Sequence, residues 1–221
     1  MDIKNLISKV DHTLLTPTAT KAQILAAADE AVKFGAASVC IPPCYVQAVK
    51  KHVGNQTKVC TVIGFPNGYA HSTVKLYEAE RALADGADEL DVVVNQSWVK
   101  DSDIRAITRE IATIKHAAGR NIVKLIVETC QLSEHEKRSL CAVVLDSGAD
   151  FIKTSTGFST GGATTEDIIL FRALLPNGFG IKAAGGIQTL DDAERFLNLG
   201  ATRLGTSRII KILQNQTSEG Y

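Results

Sequence analysis

Short apolar runs alternate with amphipathic stretches along the chain. The runs are three to seven residues long, as in buried strands, and the longer stretches between them have the pattern of surface helices. The pattern predicts strands at 10–15, 37–41, 58–64, 89–94, 122–128, 151–154, 180–184 and 203–205. It predicts helices at 2–9, 21–34, from 42 to about 53, 72–85, 101–118, 133–147, 165–175 and 190–199, and a last helix from about 207.

A glycine–alanine junction recurs four times between a helical stretch and the strand that follows it. Glycine suits the left-handed position at the end of a helix, and the small alanine allows close packing before the strand. The copies start 51, 62 and 52 residues apart, at Gly35, Gly86, Gly148 and Gly200. Each interval is too long for one strand–helix unit and about right for two. The four copies therefore predict eight units.

Strict alternation of strands and helices predicts a parallel sheet. Eight units fit an α/β fold, a single-domain (β/α)8 TIM barrel over residues 1–221 with a short N-terminal leading helix. An open doubly wound sheet is the alternative, although no Gly-x-Gly-x-x-Gly follows the first strand, which disfavours a dinucleotide-binding form. The polar segment 214–221 predicts a flexible C-terminal tail.

Composition narrows the classes of function. The 221 residues are 45% hydrophobic and 22% charged, which is typical of a globular protein, and the 24 basic side chains balance 24 acidic ones. This balance disfavours broad binding to nucleic acid or to an anionic membrane. Neither a signal-peptide pattern nor an apolar run of membrane-spanning length is present, so we expect a cytoplasmic protein.

Cysteine and histidine spacing does not indicate a metal site. The five cysteines form no Cys-x-x-Cys pair, and several lie in apolar patterns, so we expect buried free thiols. Cys40 stands apart because it lies near the end of a strand. The five histidines lack paired ligand spacing. We therefore expect no metal site, and the Schiff-base reaction inferred below needs no organic cofactor.

Charged side chains inside predicted strands are the main candidates for chemistry, because the C-terminal strand ends of a barrel carry its active site. Lys153 lies in the strand 151–154, directly before a hydroxyl-rich turn. Burial disfavours the ammonium form, so a lysine in an apolar wall can act as a neutral nucleophile. We expect Lys153 to form a Schiff base with an aldehyde.

Lys182 lies in the next strand at a depth that matches Lys153, judged from the turns that follow the two residues. Two neighbouring ammonium groups repel, which lowers the pKa of one and leaves it a free amine. On this argument alone either lysine is the nucleophile, and two solvated rim lysines are the simpler alternative. Asp91, in an apolar strand, is a candidate for proton transfer, or else an ion-pair partner of a lysine.

Three further residues are candidates for supporting roles. Lys124 lies early in its strand and is expected to form an internal ion pair near Asp91 or Glu128. Asp11 belongs either to a polar network at the barrel floor or to the site. Thr154 closes the same strand as the candidate nucleophile.

Loops near the sixth to eighth strands are candidates for phosphate binding. Barrels often hold phosphate at the loops after strands seven and eight, together with a helix N-terminus. Tight turns that need glycine are the alternative explanation. The candidate phosphate-binding residues are Gly157, Gly185, Gly186, Thr206 and Ser207.

Four motifs across essentially the whole chain resemble the 2-deoxyribose-5-phosphate aldolases, a family of class I, Schiff-base aldolases. They are Asp-His-Thr-Leu-Leu at 11–15, Leu-Asp-Val-Val-Val-Asn at 90–95, Phe-Ile-Lys-Thr-Ser-Thr-Gly at 151–157 and Ile-Lys-Ala-Ala-Gly-Gly at 181–186. The resemblance implies that Lys153 is the Schiff-base lysine, that Lys182 and Asp91 transfer protons, and that the glycines and Ser207 hold phosphate. It implies reversible cleavage of 2-deoxy-D-ribose 5-phosphate to D-glyceraldehyde 3-phosphate and acetaldehyde.

Phe158 departs from the family pattern, because some members carry a lysine there. This puts one phosphate contact in doubt, with Arg208 as a candidate substitute. We expect small sugar phosphates and aldehydes as partners, with no nucleic acid or membrane, and a homodimer as an open option. Two other functions stay open. A barrel that binds pyridoxal phosphate on a lysine would be yellow, and a non-covalent sugar-phosphate isomerase or synthase would keep activity in Lys153→Arg.

Overall fold

The computed structural model describes residues 2–218, and in this part of the chain eight parallel strands form a closed barrel in sequence order. The strands are β1 (Val10–Thr13), β2 (Ser38–Ile41), β3 (Lys58–Ile63), β4 (Glu89–Val93), β5 (Ile122–Ile126), β6 (Phe151–Lys153), β7 (Gly180–Ala184) and β8 (Arg203–Thr206). The helices are α1 (Ile3–Ile7), α2 (Lys21–Phe34), α3 (Val46–Val53), α4 (Ser72–Ala84), α5 (Gln96–Lys100), α6 (Ile104–Ala118), α7 (Glu134–Asp146), α8 (Thr165–Leu174), α9 (Leu190–Asn198) and α10 (Ile209–Ser218). The predicted TIM-barrel fold with a leading helix is confirmed.

Strand register decides which inward-facing side chains become neighbours. Each strand pairs with the next in the chain, and β8 pairs with β1 to close the barrel. Lys153 on β6 is the in-register partner of Lys182 on β7, as predicted. Asp91 on β4 is likewise the partner of Lys124 on β5. Charged residues therefore occupy neighbouring positions of the barrel wall.

The two faces of the barrel wall have opposite character because successive strand residues point to opposite sides. Outward-facing residues such as Val92, Leu125 and Ile152 are fully buried in the main apolar core beneath the helices. Inward-facing residues include the charged strand residues, together with apolar ones such as the small cluster around Cys40 and Cys60. Burial of the outer layer provides the hydrophobic stabilisation, which leaves the interior available for a charged site.

The recurring glycine–alanine junction is a helix-terminating motif. All four glycines have a positive φ, from 70° to 111°. At three junctions the alanine N–H donates to the carbonyl five residues earlier, the hydrogen bond of a Schellman motif. These bonds are Ala36 to Ala31, Ala87 to Ala82 and Ala201 to Phe196. A left-handed conformation is least costly for glycine, which explains why it recurs.

The helices differ from the predicted ones in two places. The short helix α5 follows β4 and is capped by Asn95, whose side chain accepts from the Ser97 N–H at 3.1 Å. At the other end of the chain α10 continues to Ser218, so residues 214–218 are helical, and the flexibility expected of the segment 214–221 stays a prediction. Tyr221 lies outside the described residues. Within residues 2–218, no helix combines the length and apolar character needed to cross a membrane.

Candidate active site

The C-terminal ends of the strands open into a cavity of about 330 Å³, a volume suited to a small-molecule ligand. Lys153 lines this cavity. The loops after β6, β7 and β8 complete its wall. They contribute all five residues that were predicted to bind phosphate, Gly157, Gly185, Gly186, Thr206 and Ser207. The structure thus brings the predicted nucleophile and the predicted phosphate loops to one cavity.

Lys153 and Lys182 both donate to the same oxygen of Asp91. Their Nζ atoms lie 2.8 and 2.7 Å from Asp91 Oδ2. Barrel closure makes this possible, because β4 carries Asp91 and pairs with neither β6 nor β7. The Lys153 side chain remains 3% exposed, whereas Asp91 and Lys182 are fully buried. Lys153 is therefore the amine of this trio that a substrate in the cavity can reach.

Asp11 connects the site lysines to the floor of the barrel. Its Oδ2 lies 2.5 Å from Lys182 Nζ, and its Oδ1 accepts from Arg203 Nη1 at 2.6 Å. Ser38 Oγ also donates to Asp11 Oδ1 at 2.7 Å. The barrel floor and the site, the two locations considered for Asp11 from the sequence, are therefore parts of one network. Arg203, at the start of β8, was not recognised from the sequence as a member.

Lys124 lies beneath the trio of Lys153, Lys182 and Asp91, and it forms ion pairs with buried carboxylates. Its Nζ is 2.8 Å from Asp91 Oδ1 and 2.5 Å from a Glu89 oxygen. The predicted ion pair with Asp91 is confirmed, but the alternative partner Glu128 is wrong, because that side chain accepts hydrogen bonds from Thr156. Burial opposes the charge of Lys124, yet Asp91 and the other nearby anions raise its pKa well above the ordinary value.

The buried cluster contains one more basic group than acidic groups. The basic members are Lys124, Lys153, Lys182 and Arg203, and the acidic members are Asp11, Glu89 and Asp91. Within the described part of the chain, Lys153 has one carboxylate partner, Lys182 has two and Lys124 has three. Lys153 is therefore the amine of the cluster that is held by the fewest ion pairs.

The two partners of Lys153 retain their charges. Burial by itself raises the pKa of Asp91, but the ammonium groups of Lys124 and Lys182 hold it well below the ordinary value. Burial lowers the pKa of Lys182, whereas Asp11 and Asp91 together raise it above the ordinary value. At neutral pH the candidate nucleophile therefore lies beside a carboxylate acceptor and an ammonium donor.

Thr154 holds β6 and β7 together at the level of the lysines. Its Oγ1 donates to the Ala184 carbonyl and accepts from the Ala184 N–H, both at 3.0 Å. Its own N–H donates to the Lys182 carbonyl at 3.1 Å. Thr154 is fully buried. It can support the site through the register of Lys153 and Lys182, without contacting a substrate.

Glu128 shapes the loop after β6, although the sequence suggested it only as an ion-pair partner. It adopts a left-handed conformation with φ 57°, which is uncommon for a residue other than glycine, and it is buried. Its carboxylate accepts from the Thr156 N–H at 3.2 Å and from the Thr156 hydroxyl, which in turn accepts from the Phe158 N–H at 3.0 Å. A phosphate at Gly157 must therefore use donors other than the Thr156 N–H. In the sequence, the signal that could have indicated a role for Glu128 was its position as an acidic residue at the end of an apolar strand.

Close backbone packing determines the conformation at Gly185. A Cβ atom there would lie 2.9 Å from the Cα of Gly162, and the φ of Gly185 is 76°. The neighbouring Ala163 N–H donates to the Ala184 carbonyl at 3.0 Å. The tight-turn explanation therefore holds for Gly185, which at the same time lines the cavity.

Phe158 forms an apolar part of the cavity rim. Its side chain is 48% exposed, and its ring packs edge-on against Phe65 with 5.2 Å between centroids. Among the described lining residues, Arg208 and Lys153 are the basic ones. Arg208 is therefore the available cation for a phosphate in this cavity.

Comparison with known proteins gives a consistent family. The model of the DeoC/LacD family aldolases matches residues 5–208. Deoxyribose-phosphate aldolases of Streptococcus agalactiae serotype Ia and Streptococcus pyogenes serotype M4 are each 51% identical over 219 residues, covering 99% of this chain and 98% of the relative. Among solved structures, one similar chain is the deoxyribose phosphate aldolase from Aeropyrum pernix, described as a unique tetrameric structure. Its TM-score is 0.90 at 34% identity, and the match covers 99% of this chain and 93% of the Aeropyrum chain. The aldolase QR15 has a TM-score of 0.91 at 32% identity, with full coverage of both chains. The resemblance seen in the four motifs is confirmed, and the chain belongs to the DeoC/LacD family of aldolases.

Proposed function

We propose that this protein cleaves 2-deoxy-D-ribose 5-phosphate reversibly to D-glyceraldehyde 3-phosphate and acetaldehyde, in the breakdown of deoxyribose phosphate. The observation that carries the proposal is the cavity-facing amine of Lys153, which shares Asp91 Oδ2 with the buried ammonium of Lys182. The names of the relatives support the substrate. The loops and Arg208 in the same cavity wall supply groups that suit a phosphate.

The reaction begins when the neutral Lys153 amine attacks the C1 aldehyde of the open-chain sugar. A bond forms between Nζ and C1, and a proton moves from nitrogen to oxygen to give a carbinolamine. The Lys182 ammonium protonates the carbinolamine hydroxyl, which leaves as water, and an iminium remains on Lys153. Asp91 Oδ2 accepts from both amines and so provides a short path for the protons between them.

The iminium then accepts the electron pair of the C2–C3 bond. As the C3 hydroxyl loses its proton, C3 to C5 leave as D-glyceraldehyde 3-phosphate, and C1 and C2 remain as an enamine on Lys153. Protonation of the enamine at C2 and hydrolysis of the new iminium release acetaldehyde and restore the amine. We assign these proton transfers to Asp91 and Lys182, the charged neighbours of the reacting nitrogen.

Reductive trapping tests the covalent intermediate. Borohydride added with acetaldehyde should leave a stable ethyl group on Lys153, detectable by peptide mass spectrometry, while the Lys124 and Lys182 peptides stay unmodified. Lys153→Arg keeps a positive charge but lacks the nucleophile, so it should be inactive. Activity in Lys153→Arg would favour a non-covalent isomerase or synthase, and a yellow purified protein would favour pyridoxal phosphate. Inactivation of the wild type with an unmodified Lys153 peptide would overturn the assignment.

The proposal also includes a cellular location and an oligomeric state. We propose a cytoplasmic enzyme with small aldehydes and sugar phosphates as partners. The balanced charge of the chain supports the expectation that nucleic acid and membranes are not among its partners. The homodimer stays a prediction, and light scattering after gel filtration would distinguish it from a monomer or a tetramer.

A further inference from the structure

Cys40 and Cys60 lie side by side inside the barrel. They are in-register partners on β2 and β3, and both are fully buried. Their sulfur atoms and an oxygen of Asp91 lie within 4.8 Å of one another. Neighbouring strands are about 4.8 Å apart, which is within the range of Cα separations that a disulfide bridges. The two thiols are therefore placed close enough to be joined.

The cysteine pair contacts the ion-pair network through Cys60, at the Asp91 oxygen that Lys153 and Lys182 do not share. Cys60 Sγ donates to Asp91 Oδ1 at 3.2 Å, and Lys124 Nζ donates to Cys60 Sγ at 3.4 Å. The opposite oxygen, Oδ2, holds Lys153 and Lys182. The Cys60 thiol thus orients the carboxylate that serves both amines, although the mechanism proposed above uses neither thiol.

The environments of the two sulfur atoms give them different reactivities. The neighbouring Cys60 thiol, together with the nearby Lys182 ammonium, lowers the pKa of Cys40. Burial raises the pKa of Cys60 well above the ordinary thiol value. Because the thiolate is the nucleophile and the Cys60 S–H is engaged with Asp91 Oδ1, we expect Cys40 to react first with an oxidant. Leu15 lines the cavity and also packs against this cysteine cluster, so the pair lies directly behind the cavity wall.

We propose that Cys40 and Cys60 form a redox modification site, at which hydroperoxides generate a disulfide that inactivates the enzyme. The Cys40 thiolate attacks a peroxide oxygen, the O–O bond breaks, and Cys40 becomes a sulfenic acid while the departing oxygen takes a proton. The Cys60 sulfur then attacks that sulfenic sulfur, the S–S bond forms, and the hydroxyl leaves with the Cys60 proton as water. The thiols lose two electrons, which the peroxide accepts.

The disulfide removes the S–H group that donates to Asp91 Oδ1. It also draws the sulfur atoms together beneath the Asp91 carboxylate, whose placement between the two amines we have assigned to catalysis. We expect aldolase activity to fall by about tenfold or more, in line with the contribution of one positioned catalytic group, and to return with dithiothreitol. The loss of activity rests on the proposed function of Asp91, whereas formation of the disulfide does not.

The test uses full-length protein in which the exposed Cys44 and Cys130 are replaced by serine, with its activity measured first. Hydrogen peroxide should produce a Cys40–Cys60 cross-linked peptide on non-reducing digestion, in step with the loss of activity, and dithiothreitol should reverse both. Activity loss without the cross-link would overturn the proposal, as would a full cross-link with undiminished activity. Peptide mapping detects the disulfide even if the proposed substrate is wrong, so the two failures are distinguishable.

Cys60→Ser provides the matched control, because serine keeps a donor for Asp91 but cannot form the disulfide. In this variant we expect dimedone to label Cys40 after peroxide treatment, since the sulfenic acid has no resolving thiol. Dithiothreitol-reversible inactivation at the wild-type rate in Cys60→Ser would contradict the assignment of the pair.

Discussion

Lys153 and Lys182 are in-register neighbours whose side-chain nitrogens share one oxygen of Asp91, at 2.8 and 2.7 Å. From the sequence we expected repulsion between the two amines to govern their protonation. The structure adds an anion between them and a second anion, Asp11, on the far side of Lys182. Lys182 is therefore stabilised as a cation by two carboxylates, whereas Lys153 has one carboxylate partner among the described residues.

Replacing Lys182 should affect chemistry more than binding. We expect Lys182→Met to lower kcat by about 10²–10⁴-fold, because the carbinolamine loses its proton donor. The matched control is Lys58→Met, at the exposed start of β3, which should retain wild-type kcat. Steady-state kinetics and borohydride trapping rates would be measured on both, with thermal melts to confirm folding. A Lys182→Met enzyme with unchanged kcat would remove this residue from the mechanism.

Asp91→Asn should reduce both stability and activity, since it leaves the surrounding ammonium groups without their shared anion. Loss of one partner of a buried ion pair costs about 3–5 kcal/mol in the free energy of unfolding. Adding Lys124→Met removes one of the stranded cations, so the double variant should regain part of this stability but no activity. Urea unfolding and kcat distinguish these outcomes. Recovery of activity together with stability would show that Asp91 serves only the fold.

The free energy of unfolding should depend on pH at both extremes. The pKa values of Asp91 and Asp11 are lower in the folded state, so their stabilisation is complete above about pH 4 and is lost as the pH falls towards the folded values. The pKa of Lys182 is higher in the folded state, so its contribution is complete below about pH 10 and is lost as the pH rises through the folded value. Urea midpoints measured across pH would check this. In Asp91→Asn the acid dependence should weaken, and an identical acid limb would contradict the assignment.

Phe158→Lys should improve recognition of the phosphate. A cation on the rim near Gly157 and Arg208 can add one charge-assisted contact, which would lower KM for 2-deoxyribose 5-phosphate about tenfold. The KM for unphosphorylated 2-deoxyribose should not change, and added salt should reduce the gain. Phe158→Met is the apolar control. An equal change of KM for both sugars would indicate a change of cavity shape instead of a phosphate contact.

Much of this architecture could be predicted because its signals are local. The Gly-Ala junction reflects helix-end geometry within a few residues, and its four copies indicated eight strand–helix units. Consecutive strands of a parallel barrel are neighbours, so Lys153 and Lys182 could be expected to lie together. Glu128 was more difficult, because its left-handed backbone is stabilised by a loop almost thirty residues away, as the bond from Thr156 shows.

The sequence by itself determined the strand–helix periodicity and the fold, and it indicated the two lysines as candidates, because each signal lies in a short stretch of residue types. Only the tertiary structure decided that Asp91 reaches across from β4 to both amines, that Arg203 pairs with Asp11, and that Cys60 contacts Asp91. These contacts join positions 31 to 192 residues apart. They arise because closure of the barrel turns separate inward-facing positions towards one interior, a constraint that no local pattern of residues contains.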